Sequence, residues 1–182
     1  MPTLILIDLQ QGMQAPSLPP RNNPQAETHA LRLLSAWRVA GHPVVHVRHI
    51  SRQPGSVFWP GQPGCEFQPA LAPLPGEAVF EKNVPCAFAT SGLERWLRVR
   101  GQAQLVFAGV STNNSVEASV RSAGCLGFSA WVVGDACFTF DLRGAEGRHW
   151  PAAEVHAQAL ANLALDYAQV VGSAEALAML AQ

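Results

Sequence analysis

The chain is 182 residues long, 48% apolar and only 14% charged, with 12 Lys+Arg against 13 Asp+Glu. One domain that buries roughly two-thirds of its unfolded surface is the default at this length. A charged share below the roughly 25% of ordinary soluble domains predicts a large core and excludes a disordered chain.

The net charge of −1, with no Lys/Arg run, offers nothing to neutralise a phosphate backbone, so nucleic acid is not an expected partner. No membrane partner is expected either. Asn162 and Asp166 interrupt the most apolar stretch, residues 157–171, and no run reaches about 18 uninterrupted apolar residues. Met1 to Asp8 lacks a basic region and its apolar run is short, so it reads as a first strand, not a targeting segment. Cys65, Cys86, Cys125 and Cys137 form no C-x-x-C pair, which predicts reduced, mostly buried thiols and a cytoplasmic setting.

In chain order, Leu4–Leu9 is apolar up to Asp8, as a strand buried on both faces should be. A helix over about Gln25–Ala40 follows, with Ala30, Leu33, Leu34 and Trp37 on one stripe and Gly41 as its stop. Pro43–Arg48 reads as the second strand. Residues 51–76 are rich in Pro and Gly without periodicity, and a segment of that length predicts a binding wall or a subunit contact. Glu77–Lys82 is the third strand, a helix lies near Ser91–Arg100, and Leu105–Val110 is the fourth strand. A helix over about Asn114–Gly127, a fifth strand over Ser129–Val133 and a long helix over Pro151–Ala168 come next. Gln169–Val171 and a short final helix end the series.

This alternation predicts an α/β fold with three α/β/α layers, a doubly wound and mostly parallel sheet of six strands. Ligands in such sheets bind beyond the C-terminal strand ends, where the winding reverses. Asp8, Lys82 and the turn Gly109–Ser115 would therefore converge there. Asp8 also reads as a plain turn cap, Lys82 as a solvated lysine and Ser115 as a helix N-terminal residue. Their coincidence at one sheet edge favours chemistry.

Several chemistries are excluded. The turn Leu9-Gln10-Gln11-Gly12 is no dinucleotide fingerprint. No lysine follows a Gly-rich phosphate loop. Gly109-Val110-Ser111-Thr112-Asn113 starts like a nucleophile elbow but lacks the closing glycine.

The residues themselves resemble a family. Asp8 with Gln10, Pro63-Gly64-Cys65-Glu66, Glu81-Lys82 and Ala87-Phe88 are similar to stretches of the isochorismatase-like hydrolases, also called cysteine hydrolases. So are Gly109-Val110-Ser111-Thr112-Asn113-Asn114-Ser115-Val116-Glu117-Ala118 and Asp135-Ala136-Cys137. The likeness runs from residue 4 to about 171. It implies a doubly wound three-layer fold, an acid–lysine–cysteine triad, a non-proline cis peptide at Val110–Ser111 and assembly into dimers or tetramers. The family's cysteine position is Ser115 here, and none of the four cysteines lies on that turn.

A hydroxyl, unlike a thiol, needs a genuine general base. Asp8 serves only if its environment tunes it, and burial and Lys82 push in opposite directions. Ser115 thus reads as nucleophile, as orienting polar group or as cap. The backbone N–H groups of Ser111 and Ser115 are the candidate oxyanion donors.

The leading expectation is a metal-free and cofactor-free hydrolase that cleaves a C–N bond of a small molecule through an Asp8–Lys82–Ser115 variant of the triad. Gln10, Trp59, Phe88 and Thr112 are its candidate substrate contacts. Two alternatives stand beside it. One is vinyl-ether hydrolysis without a covalent intermediate; the other is a catalytically silent binding protein. Nicotinamidases of this superfamily hold a divalent ion through Asp-x-His, but His46-Val47-Arg48-His49 lacks the aspartate, and His46 among valines reads as a core histidine. His149 and His156, near the long C-terminal helix, read as structural.

Overall fold

The structure, a computed structural model, describes residues 1–181. β1 (Thr3–Ile7), β2 (Val44–His49), β3 (Ala78–Lys82), β4 (Gln104–Val110), β5 (Ser129–Phe138) and β8 (Gln169–Val171) form one sheet in the order β3-β2-β1-β4-β5-β8. Every neighbouring pair in it is parallel. The winding therefore reverses between β1 and β4. All five residues of β1 are buried, since a strand paired on both edges and covered on both faces meets no water.

α1 (Ala26–Val39) and α5 (Ser173–Ala178) cover one face. Leu33, Leu34 and Trp37 pack there on Leu4, Leu6, Val44 and Val106. α2 (Leu93–Val99), α3 (Glu117–Cys125) and α4 (Ala152–Asp166) cover the other, with Leu97, Val120 and Leu163 packed among Ile5, Ile7, Val45, Val47 and Phe107. Each fully buried Leu or Ile side chain contributes about 1.5–3 kcal/mol. The alternation of neighbouring strand residues between the two layers is what aims each strand-terminal side chain. Among the described residues, no helix is long and apolar enough to cross a membrane.

Three expectations need correction. The helix anticipated from Asn114 is preceded by a single wide π-type turn, Thr112–Val116, and α3 starts only at Glu117. β5 runs on to Phe138 instead of stopping at Val133, because its second half pairs with Gly109 and Val110 after a shift in register. A two-stranded hairpin, β6 (Leu142–Arg143) with β7 (His149–Trp150), lies where no element was anticipated. Asp141 anchors it, accepting from the Ala152 N–H at 2.7 Å and pairing with His149 at 2.9 Å.

Gly109 shapes the strand ends. It sits at φ +136°, and a Cβ there would overlap the Ile7 carbonyl oxygen. Only glycine lets β4 approach β1 this closely just before the turn.

Candidate active site

Asp8 follows the last residue of β1 and holds φ +53°, an uncommon value for a residue with a side chain. Its carboxylate meets Lys82, the last residue of β3. Lys82 Nζ donates to Asp8 Oδ2 at 2.6 Å and to Ser115 Oγ at 3.1 Å. The three residues are 1%, 2% and 6% exposed. Asp8 Oδ1 is buried without any hydrogen-bond partner. Burial pushes the Asp8 carboxyl above its ordinary range, outweighing the Lys82 ammonium and the hydrogen bonds from Lys82 and Ser115 that pull it down. The opposition foreseen between burial and lysine is thus resolved in favour of burial.

Ser115 lies in the wide turn after β4. The Val110–Ser111 peptide is cis, and the Ser111 carbonyl accepts the N–H groups of Asn114 and Val116, both at 3.1 Å. Side chains brace the turn from outside. Thr112 Oγ1 is 2.8 Å from His156 Nδ1 on α4, and Thr139 donates to Asn113 Oδ1. Ser119 donates to the Ser115 carbonyl at 2.7 Å and accepts the Ala87 N–H at 2.9 Å. That chain of bonds ties the turn to the segment that follows Lys82.

A cleft of about 450 Å³ has Lys82 among its lining residues, together with Ser51, Arg52, Trp59, Asn83 and Thr90. Residues 51–76 thus supply part of its wall, as their length suggested, and they do so from the same chain. Trp59 is the one anticipated substrate contact that lines this cleft. The carboxamide of Gln10 is committed elsewhere. It donates to the carbonyls of His49 and Cys65 and accepts the His49 N–H, at 3.0, 3.0 and 2.8 Å, so it braces main chain and presents nothing to a ligand. Phe88 packs against Phe128 with ring centroids 6.0 Å apart and belongs to the core layer under α2 and α3. Thr112 is fully buried with its hydroxyl on His156.

His46 is a core histidine, its Nε2 2.8 Å from Glu77. Among the described residues, no group of three or more His, Cys, Asp or Glu side chains is placed to hold a metal ion. Reading the sequence missed Asn83, whose buried Oδ1 has no partner. Its place directly after Lys82 was the available signal. His49 was considered only for metal, yet it ends β2 opposite Lys82 in the ladder. The register that makes them neighbours is a tertiary fact.

Comparison with known proteins places the geometry in context. A family model described as the isochorismatase domain matches residues 2–175. The isochorismatase family protein YddQ of Bacillus subtilis is 35% identical over 92% of this chain and 93% of its own. Maleamate amidohydrolase of Pseudomonas putida is 33% identical over 72% of this chain and 70% of its own. A crystal structure of an isochorismatase-family protein from Chromobacterium violaceum is 52% identical and superposes with a TM-score of 0.96, covering 99% of this chain and 93% of that one.

Proposed function

This chain belongs to the isochorismatase family of hydrolases, and on that premise we propose that it hydrolyses the C–N bond of a small amide with Ser115 as nucleophile. The observation that carries this reading is the double hydrogen bond from Lys82 Nζ to Asp8 Oδ2 and Ser115 Oγ. An ammonium that donates to the serine oxygen leaves the serine's own proton free to depart toward Asp8. A carboxyl raised by burial is a better proton acceptor than an ordinary aspartate. Ser115 Oγ attacks the amide carbonyl as its proton passes to Asp8. The same proton then goes to the departing amine. Burial of all three groups keeps their mutual electrostatics strong.

The backbone N–H groups of Ser111 and Ser115 are the donors assigned to the developing oxyanion. One such donor is typically worth about 3–4 kcal/mol of transition-state stabilisation. Trp59 offers an apolar wall to the cleft, which Asn83 also lines. The relative named as maleamate amidohydrolase supports an amide as the bond cleaved. Assembly into a dimer or tetramer fits the exposed Leu142, Trp150 and Leu165, and light scattering in solution measures it.

The test is a panel of small primary amides, followed by ammonia release and by intact mass. Turnover with an acyl mass on Ser115, lost in Ser115→Ala, is the expected result. Turnover that survives Ser115→Ala without an adduct would favour direct addition of water, as in vinyl-ether hydrolysis. No turnover across the panel would favour a silent binding protein.

A further inference from the structure

The wide turn that carries Ser115 begins at Thr112, which is fully buried. Among the described residues the Thr112 side chain makes one hydrogen bond, at 2.8 Å to His156 Nδ1. His156 lies near the start of α4, which packs against this turn. The other ring nitrogen, Nε2, is 3.4 Å from Asn23 Nδ2. Asn23 sits before α1 at φ +44°. The same Nδ2 donates to the Cys137 carbonyl at 2.7 Å and to the Gly134 carbonyl at 3.1 Å.

Those two carbonyls fix the orientation of the Asn23 carboxamide, since its own oxygen in that place would meet two carbonyl oxygens. A carboxamide nitrogen donates and does not accept. His156 Nε2 can face it only as an unprotonated acceptor. The ring's proton is therefore on Nδ1, and it goes to Thr112 Oγ1. The same geometry opposes a charged ring, because a proton on Nε2 would point at a donor. Burial acts in the same direction and holds the His156 pKa below its ordinary value. Charged groups on the surrounding elements are engaged elsewhere. Arg21 pairs with Glu27 at 2.6 Å and Glu117 with Arg121 at 2.8 Å. Asp135 accepts from Ser173 at 2.7 Å, Glu154 on α4 itself is exposed, and the Cys137 thiol is pushed up to about 12.

Resting on the amide reading above, we propose that His156 is a positioning residue for the reaction. As the neutral Nδ1–H tautomer it donates to Thr112 and so fixes the turn whose Ser111 and Ser115 N–H groups receive the oxyanion. Thr112 follows the first of those donors directly and shares the turn with the second. The neighbouring braces act further along: Thr139 bonds Asn113, and Ser119 bonds the Ser115 carbonyl. The start of the turn is left to His156. Asn23 in turn sets the ring, so a chain of donors runs from Asn23 through His156 to Thr112. Oxyanion donors act on charge that develops only in the transition state. Loosening them therefore lowers kcat and leaves KM nearly unchanged.

The tautomer is read directly on the wild type at pH 7, from long-range proton–nitrogen NMR of the His156 ring. Nδ1–H is expected, and Nε2–H or a charged ring would overturn the inference. Kinetics with an amide that the wild type turns over supply the second arm. His156→Leu removes the donor and Thr112→Val removes the acceptor while keeping the side chain's size. Each should lower kcat, by up to about 100-fold for a misplacement on the order of 1 Å, at nearly constant KM. The double variant should fall no further than either single one, because both remove the same bond. His156→Asn puts an amide nitrogen close to the place of Nδ1 and should restore most of the lost kcat. If His156→Leu does not fold, Thr112→Val and His156→Asn decide the question. Wild-type kcat in Thr112→Val, a rise in KM alone, or no recovery in His156→Asn would each overturn the assignment. Failure of the wild type on every amide would instead overturn the amide reading, and this inference with it.

Discussion

Lys82 Nζ lies 2.6 Å from Asp8 Oδ2 across 74 residues of sequence, and neither side chain meets solvent. The pair joins the ends of two strands that are not neighbours, since β2 runs between them. An ion pair in such a place is held by the sheet's geometry more than by its own attraction, because desolvation offsets much of the Coulomb gain.

Removing one partner should therefore cost more than removing both. Lys82→Met leaves the Asp8 carboxyl buried without its cation, and losses of about 3–5 kcal/mol are typical of such a deletion. Protonation of Asp8, already favoured by burial, places the expected loss at the lower end. Lys82→Met with Asp8→Asn should be more stable than Lys82→Met alone, measured as the urea midpoint at pH 7. Both proteins should be inactive.

Thiol chemistry separates the serine from the native cysteines. Cys137 is buried with its thiol pushed up to about 12 by desolvation, and burial raises Cys65 as well. Iodoacetamide needs a thiolate, so it should leave wild-type activity unchanged even where it labels the exposed Cys125. Ser115→Cys places a thiol beside Lys82. That variant should lose activity to iodoacetamide in step with alkylation at residue 115, followed by peptide mass.

Acid stability should depend on Glu77. Burial pulls its carboxyl upward, but hydrogen bonds from Arg38, the Leu74 N–H and His46 win and bring it down to about 2. A carboxyl lowered by folding stabilises the protein above its unfolded value of 4.5, and that contribution is lost as pH falls from there toward about 2. The span corresponds to at most about 3 kcal/mol at 1.36 kcal/mol per pH unit. Asp8, raised by folding, carries the opposite sign, so its contribution shrinks as pH rises above its ordinary value. Glu77→Gln should be less stable than wild type at pH 7, with the gap narrowing as pH falls from 4.5 toward about 2 in paired denaturation curves.

Gly109→Ala should disturb the site from below. The φ of +136° costs a side-chain-bearing residue about 1–3 kcal/mol by conformation alone. The added methyl also meets the Ile7 carbonyl of β1, so β1 and β4 must part just beneath Asp8 and Ser115. The expected result is a lower Tm together with a fall in kcat. Unchanged values for both would show that the strands have slack there.

Much of this protein is written locally. The apolar run of Leu4–Ile7, the stripe Ala30–Leu33–Leu34–Trp37 and the alternation of strand with helix depend on neighbours a few residues away, and they suffice for a three-layer fold with Asp8, Lys82 and Ser115 at one rim. Composition likewise foreshadowed a large core. What the chain alone leaves open depends on which distant group desolvates or bonds which. Gln10 could face a ligand as well as clamp His49 and Cys65, 39 and 55 residues away. Phe88 could line a cleft as well as stack near Phe128. Whether burial or lysine sets the Asp8 carboxyl depends on the summed burial and contacts around it. Backbone periodicity is a short-range property, whereas dielectric, register and side-chain partnership sum over everything packed nearby; only the folded arrangement decides them.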